Sequence, residues 1–111
     1  MTSLSTHVLD TSRGGPAAGV AVQLFDASGA LLWEGATDAD GRCPALREQV
    51  LEAGRYRLVF AVAAYFRAAG ATLPEPPFLD AIPLDFGITG TGHYHVPLLV
   101  SPFGYSTYRG S

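Results

Sequence analysis

The chain has no lysine: all seven of its basic side chains are arginine. That absence excludes Schiff-base catalysis and amine nucleophiles, which need an ammonium group able to give up its proton. Cysteine is almost missing too. The single residue, Cys43, cannot form an internal disulfide, belongs to no Cys-rich metal pattern and reads as a small buried packing residue. Charge is also scarce, at 15% of residues against 48% hydrophobic. Such a chain is globular rather than disordered, yet short of the charge with which a small monomer covers its surface. Burial between subunits would account for that shortage. Ten acidic residues outweigh the basic ones to give a formal charge of −3. No basic run or stripe is available to follow a phosphate backbone, so nucleic acid is not an expected partner. No apolar stretch approaches the ~20 residues of a membrane helix, and Met1 to His7 lacks the basic and apolar regions of a signal peptide. The expectation is a soluble, cytoplasmic protein with no membrane partner.

What is present is a series of short β-type segments separated by Gly, Pro and Asp turn signals. With 111 residues the chain fits one domain, 1–111, with an independent core. Strands are expected at Ser3 to Leu9, Val20 to Phe25, Leu31 to Thr37, Arg55 to Ala61, Ala81 to Ile88, His93 to Ser101 and Tyr105 to Arg109, with a short one at Arg42 to Leu46. Gly14-Gly15-Pro16, Ala27-Ser28-Gly29 and Asp38 to Arg42 read as breaks or turns. In the third strand Trp33 and Leu31 can share one face. Residues 61–69 are alanine-rich, space Val62, Tyr65 and Phe66 as a helix does, and stop at Gly70. The fold class is therefore all-β, a two-sheet, eight-stranded Greek-key sandwich with one short α-helix near residues 61–69.

Period-two alternation sorts the candidate chemistry. From His93 onward, Tyr94, Val96, Leu98 and Val100 form a core face, so His93 and His95 point outward to solvent, ligand or a second subunit. His7 shares a side with Ser5 and Leu9. Imidazole is the side chain best suited to moving a proton near neutral pH. Arg42, after Asp40-Gly41, carries a planar fork of donors suited to an oxygen-rich or anionic ligand. Arg47 is explained by surface pairing with Glu48. His93-x-His95 has the spacing of two metal ligands on one strand face, with His7 as a third. However, no acidic residue lies within seven positions of the pair to support the rings, and no metal is expected. Gly-rich phosphate loops, nucleophile elbows and HExxH helices are absent.

Several segments resemble one family. Leu4-Ser-Thr-His-Val-Leu-Asp10, Thr37-Asp-Ala-Asp-Gly-Arg42, Tyr56-Arg-Leu-Val-Phe60, Tyr65-Phe66, His93-Tyr-His-Val-Pro-Leu-Leu99 and Tyr105-Ser-Thr-Tyr-Arg-Gly-Ser111 are similar to 5-hydroxyisourate hydrolases, the transthyretin-related proteins of purine catabolism. Hormone-carrying transthyretins keep the fold but lack the terminal Tyr-Arg-Gly-Ser and the His-Tyr-His-Val-Pro. The resemblance implies a homotetramer, a dimer of dimers with its sites at a subunit interface. It also implies hydrolysis of a small-molecule substrate, 5-hydroxyisourate, without a cofactor. It assigns His7, Arg42, His95 and Ser111 to catalysis and His7, Arg42 and Tyr108 to substrate binding, leaving His93 and Arg109 at most structural roles. The alternative is a non-catalytic carrier of a small planar ligand.

Overall fold

The protein is described from a computed structural model covering residues 2–110. In chain order its strands are β1 (Thr2–Asp10), β2 (Gly15–Pro16), β3 (Ala21–Asp26), β4 (Leu31–Ala36), β5 (Gly54–Phe60), β6 (Ile82–Ile88), β7 (Gly92–Ser101) and β8 (Gly104–Thr107), with helix α1 (Val62–Ala68) after β5. They form two four-stranded sheets, ordered β2-β1-β7-β8 and β4-β3-β5-β6. This is the expected eight-stranded sandwich with one short α-helix.

Alternation sets which way each strand faces. Val22 and Leu24 of β3, Leu58 and Phe60 of β5, and Leu4, Val8, Leu98 and Val100 of β1 and β7 are buried between the sheets. Each large apolar side chain taken from water there contributes roughly 1.5–3 kcal/mol. Within the first sheet, β1 and β7 run parallel over nine residue pairs, from Thr2 with Gly92 to Asp10 with Val100. A parallel pair cannot be made by a hairpin, so the long intervening chain crosses to build the second sheet before returning. Helix α1 is tied back to β1 by the Tyr65 hydroxyl, which donates to the buried carboxylate of Asp10 at 2.9 Å. Burial, then this hydrogen bond, raises the phenol's pKa, and Tyr65 stays protonated.

Four local expectations change. Arg42 to Leu46 is not a strand: Pro44–Glu48 winds as a 3₁₀ helix, because Pro44 lacks the N–H that a ladder needs and its ring suits the first position of a helix. Leu31 does not share the face of Trp33, since a register shift pairs Trp33 with Leu24 but Leu31 with Phe25, leaving Leu31 exposed. The break at Gly15-Pro16 is itself a two-residue edge strand against β1, where a proline's missing donor costs no ladder bond. The last strand ends at Thr107 rather than Arg109. Cys43 is buried, and burial, then the charge of Asp38, pushes its thiol up to about 11. It is an inert packing thiol, as read from the sequence.

Candidate active site

On the outer surface of the first sheet, β1 and β7 present Ser3, Ser5 and His7 beside His93 and His95. The parallel register sets Ser3 against His93 and Ser5 against His95. Ser3 Oγ lies 2.6 Å from His93 Nδ1, Ser5 Oγ lies 2.8 Å from His93 Nε2, and the same Ser5 Oγ lies 2.7 Å from His95 Nδ1. The two imidazoles stack at 6.5 Å between centroids, 17° from parallel. Outward orientation of both histidines, expected from alternation, is what the structure has.

Arg42 reaches this surface through its turn. Asp38 Oδ1 accepts the backbone N–H groups of Asp40 at 2.9 Å and Arg42 at 3.0 Å, and Asp38 N donates to Arg42 O at 2.8 Å. A short polar side chain closing the backbone in this way makes a rigid turn. Buried Thr37 anchors its entry by donating to Ala17 O at 2.6 Å and accepting from Val20 N at 2.9 Å. The exit is stitched to β1, where Val8 N donates to Gly41 O at 2.8 Å and Arg42 bridges to His7. Gly41 makes this approach possible. Its φ is +76°, and a β-carbon there would lie 2.4 Å from Val8 O.

The chain's end closes the other side. Gly110 N donates to His95 O at 2.8 Å, and a β-carbon on Gly110 would lie 2.4 Å from His95 Cδ2. Only a residue without a side chain can pass so near the ring. Arg109 secures the segment by placing its guanidinium 4.2 Å from the centroid of Tyr94, a cation–π contact.

His7, Arg42 and His95 are thus brought together. Burial holds the His95 imidazolium below its ordinary pKa of 6.5, reinforced by the positive charges of Arg42 and Arg47 and by the neighbouring imidazoles of His7 and His93. His93 is lowered in the same direction by burial and then by Arg47. Neutral rings able to accept a proton follow at neutral pH. Tyr108 is placed differently: it is 61% exposed and lines a cleft of about 340 Å³ with Pro83, Tyr94, Val96 and Arg109, at the open edge between the sheets. Ser111 lies outside the described residues.

Arg47 departs from its reading as a surface partner of Glu48. Its Nη2 lies 3.5 Å from His93 Nε2, and among the described residues the ion pairs are Arg57–Asp85 and Arg67–Glu75. The 3₁₀ helix, wound where part of a strand is expected, is what turns Arg47 toward β7. Ser5 and Ser3 were likewise passed over, although their period-two spacing with His7 was the available signal. A concavity of about 1000 Å³ is on the outer face of the other sheet around Phe25, Arg57, Val59 and Asp85. It contains no histidine, and its Arg57–Asp85 pair cancels its own charge, whereas the histidine face gathers bases and arginines that have no ion-pair partner among the described residues. Among the described residues no three His, Cys, Asp or Glu side chains converge as a metal site. No helix among them is long and apolar enough to cross a membrane.

Comparison with known proteins supplies the family. Residues 4–110 match the model of the HIUase/Transthyretin family. The chain is 54% identical over 113 residues to the 5-hydroxyisourate hydrolase of Mesorhizobium japonicum, covering 97% of this chain and 91% of that protein. Among solved structures it superposes on (S)-allantoin synthase with a TM-score of 0.92 and 40% identity, over 99% of this chain, and spans 44% of that longer one. Sea bream transthyretin in complex with thyroxine gives a TM-score of 0.85 and 35% identity, over 97% of this chain and 94% of that one. The sandwich alone therefore does not separate enzyme from carrier, and the match over almost every residue shows that this chain belongs to the HIUase/Transthyretin family.

Proposed function

We propose that the chain, as a single domain of residues 1–111, hydrolyses 5-hydroxyisourate to 2-oxo-4-hydroxy-4-carboxy-5-ureidoimidazoline in urate degradation. The observation that carries this reading is the convergence of His7, Arg42 and His95 on one outer sheet face. His7 and His95 hold a water, and one of them takes its proton as the oxygen adds to a ring amide carbonyl. The tetrahedral oxyanion is stabilised by Arg42, whose donors and charge act where negative charge develops. The carbon–nitrogen bond then breaks, and the imidazolium returns its proton to the leaving nitrogen. Tyr108 and Ser111 complete the pocket and hold the substrate plane. No cofactor enters this chemistry.

The working form in this reading is a homotetramer, a dimer of dimers, with its sites at a subunit interface. Three features support it: the histidine face is an open sheet surface, Phe103, Tyr105 and Tyr108 are exposed, and β6 and β8 are edge strands. A second copy would cover them. The setting is cytoplasmic, consistent with a lone buried thiol.

The test is a spectrophotometric assay on freshly generated 5-hydroxyisourate. Decay far faster than the spontaneous background, lost by at least roughly tenfold in the His7→Ala and Arg42→Ala variants while sedimentation still reports a tetramer, supports the assignment. Decay at background rate would instead favour a carrier, as in the thyroxine complex of sea bream transthyretin. A second expectation concerns the tail. Deleting residues 108–111 removes the Gly110 bond to His95 and the Arg109 stack on Tyr94, and turnover should fall at least about tenfold. Full activity in the truncated protein would remove the tail from the site.

A further inference from the structure

The hydrogen-bond chain from Ser3 through His93 and Ser5 to His95 has a direction, and Arg47 sets it. A guanidinium has only donors. His93 Nε2, facing Arg47 Nη2 at 3.5 Å, therefore presents a lone pair. Ser5 has one hydroxyl proton and touches a ring nitrogen on each side, at 2.8 Å and 2.7 Å, so it donates to one and accepts from the other. With His93 Nε2 an acceptor, the Ser5 hydroxyl donates to it, and Ser5 Oγ accepts the Nδ1–H of His95. The opposite polarity would turn His93 Nε2–H toward the guanidinium, donor against donor.

We propose that Ser5 is a positioning residue: it holds His95 as the Nδ1–H tautomer, so that the lone pair of Nε2 is the one available to the reacting water. The inference rests on the hydrolase reading above and deepens it by naming the nitrogen that acts as base and the residue that selects it. Ser5 is well placed to do so, being only 8% exposed and fixed in the parallel register against His95. The charged and titratable groups that act on the ring, Arg42, His7, His93 and Arg47, all disfavour a second proton on it. Ser3 Oγ, 2.6 Å from His93 Nδ1, accepts the N–H that remains on His93 and completes the polarity.

The tautomer can be read without activity. In the ¹⁵N-labelled intact protein above pH 7, long-range ¹H–¹⁵N correlation spectra, assigned with a His93→Gln variant, should show His95 Nδ1 protonated and Nε2 bare. An Nε2–H signal for His95 in the wild-type protein would overturn the inference. Ser5→Ala should shift His95 toward a mixture of tautomers. It should also lower kcat about 10–100-fold, the scale of losing a partner that orients an imidazole, with KM changed less than about twofold. Ser5→Thr, which keeps the hydroxyl, should restore both. A Ser5→Ala protein with the wild-type tautomer and kcat would likewise refute it. The two readings fail separately: a wild-type protein inactive on 5-hydroxyisourate but carrying the Nδ1–H tautomer sinks the substrate assignment, whereas an active one with the opposite tautomer sinks the role of Ser5.

Discussion

Replacing His95 with alanine is expected to lower kcat/KM for 5-hydroxyisourate by about 10²–10⁴-fold, the range over which a positioned general base contributes. The size follows from what the ring does: it is neutral, directed by Ser5 and closed in by the bridge to Gly110. Alanine keeps the strand and removes the base, so thermal unfolding should move little. The wild-type pH profile supplies an independent check. Because burial and then Arg42 lower the pKa of His95 from 6.5, the protonated, inactive form accumulates only as pH falls through a value below 6.5. The acid limb of kcat/KM should lie there. Removing the positive charge in Arg42→Ala should move what remains of that limb upward, toward 6.5. An acid limb unmoved by Arg42→Ala, or a His95→Ala enzyme within threefold or so of wild type, would show that another group takes the proton.

Gly41→Val should harm both stability and activity. Its β-carbon would meet Val8 O at 2.4 Å in a backbone held at φ +76°, so the turn must lift from β1. Strain and overpacking of this kind cost about 1–3 kcal/mol each. The turn also carries Arg42 to its bridge with His7. A displacement near 1 Å at a substrate-binding group can cost about 10²-fold in rate, and here it should appear largely in KM. Gly19→Val is the matched control, since Gly19 has φ +79° but an added β-carbon would meet nothing within 4 Å. It should lose stability by strain alone and keep its KM. Equal kinetics in the two variants would mean that close approach to β1 is not what holds Arg42.

The two predictions depend on features that were legible to different degrees. Strand faces followed from alternation, because burying one side of a sheet forces period two: Leu98 and Val100 inward, His95 outward. The helix at residues 62–68 followed from spacing and from Gly70. The union of His7 with Arg42 did not follow from spacing, since their bridge depends on which carboxylate closes the turn, and Asp38 and Asp40 look alike in one dimension. It entered through family resemblance. Ser5 and Arg47 were missed for a related reason. Their roles exist only once a parallel register of strands some ninety residues apart and a 3₁₀ helix are in place, and neither has a local signature. Leu31 was misplaced because one extra residue in β4 flips every side chain beyond it to the other face. Tyr108 is on the inter-sheet edge within one chain.

The parallel pairing of β1 with β7 also has a consequence for synthesis. Among the described residues it is the only parallel strand pair, and it joins Ser5 to His95 across a sequence separation of 90. Contacts so distant form late and slowly, because the entropy of closing the loop is lost before any of them stabilises the chain. A ribosome must therefore have made everything from Ser5 to His95 before the two can meet. During that interval β1 exposes an unpaired edge, with Leu4 and Val8 still uncovered, and a nascent chain is vulnerable to aggregation. Catalytic competence would be acquired as a single late event, so the onset of activity during refolding would report the docking of the first strand against the seventh.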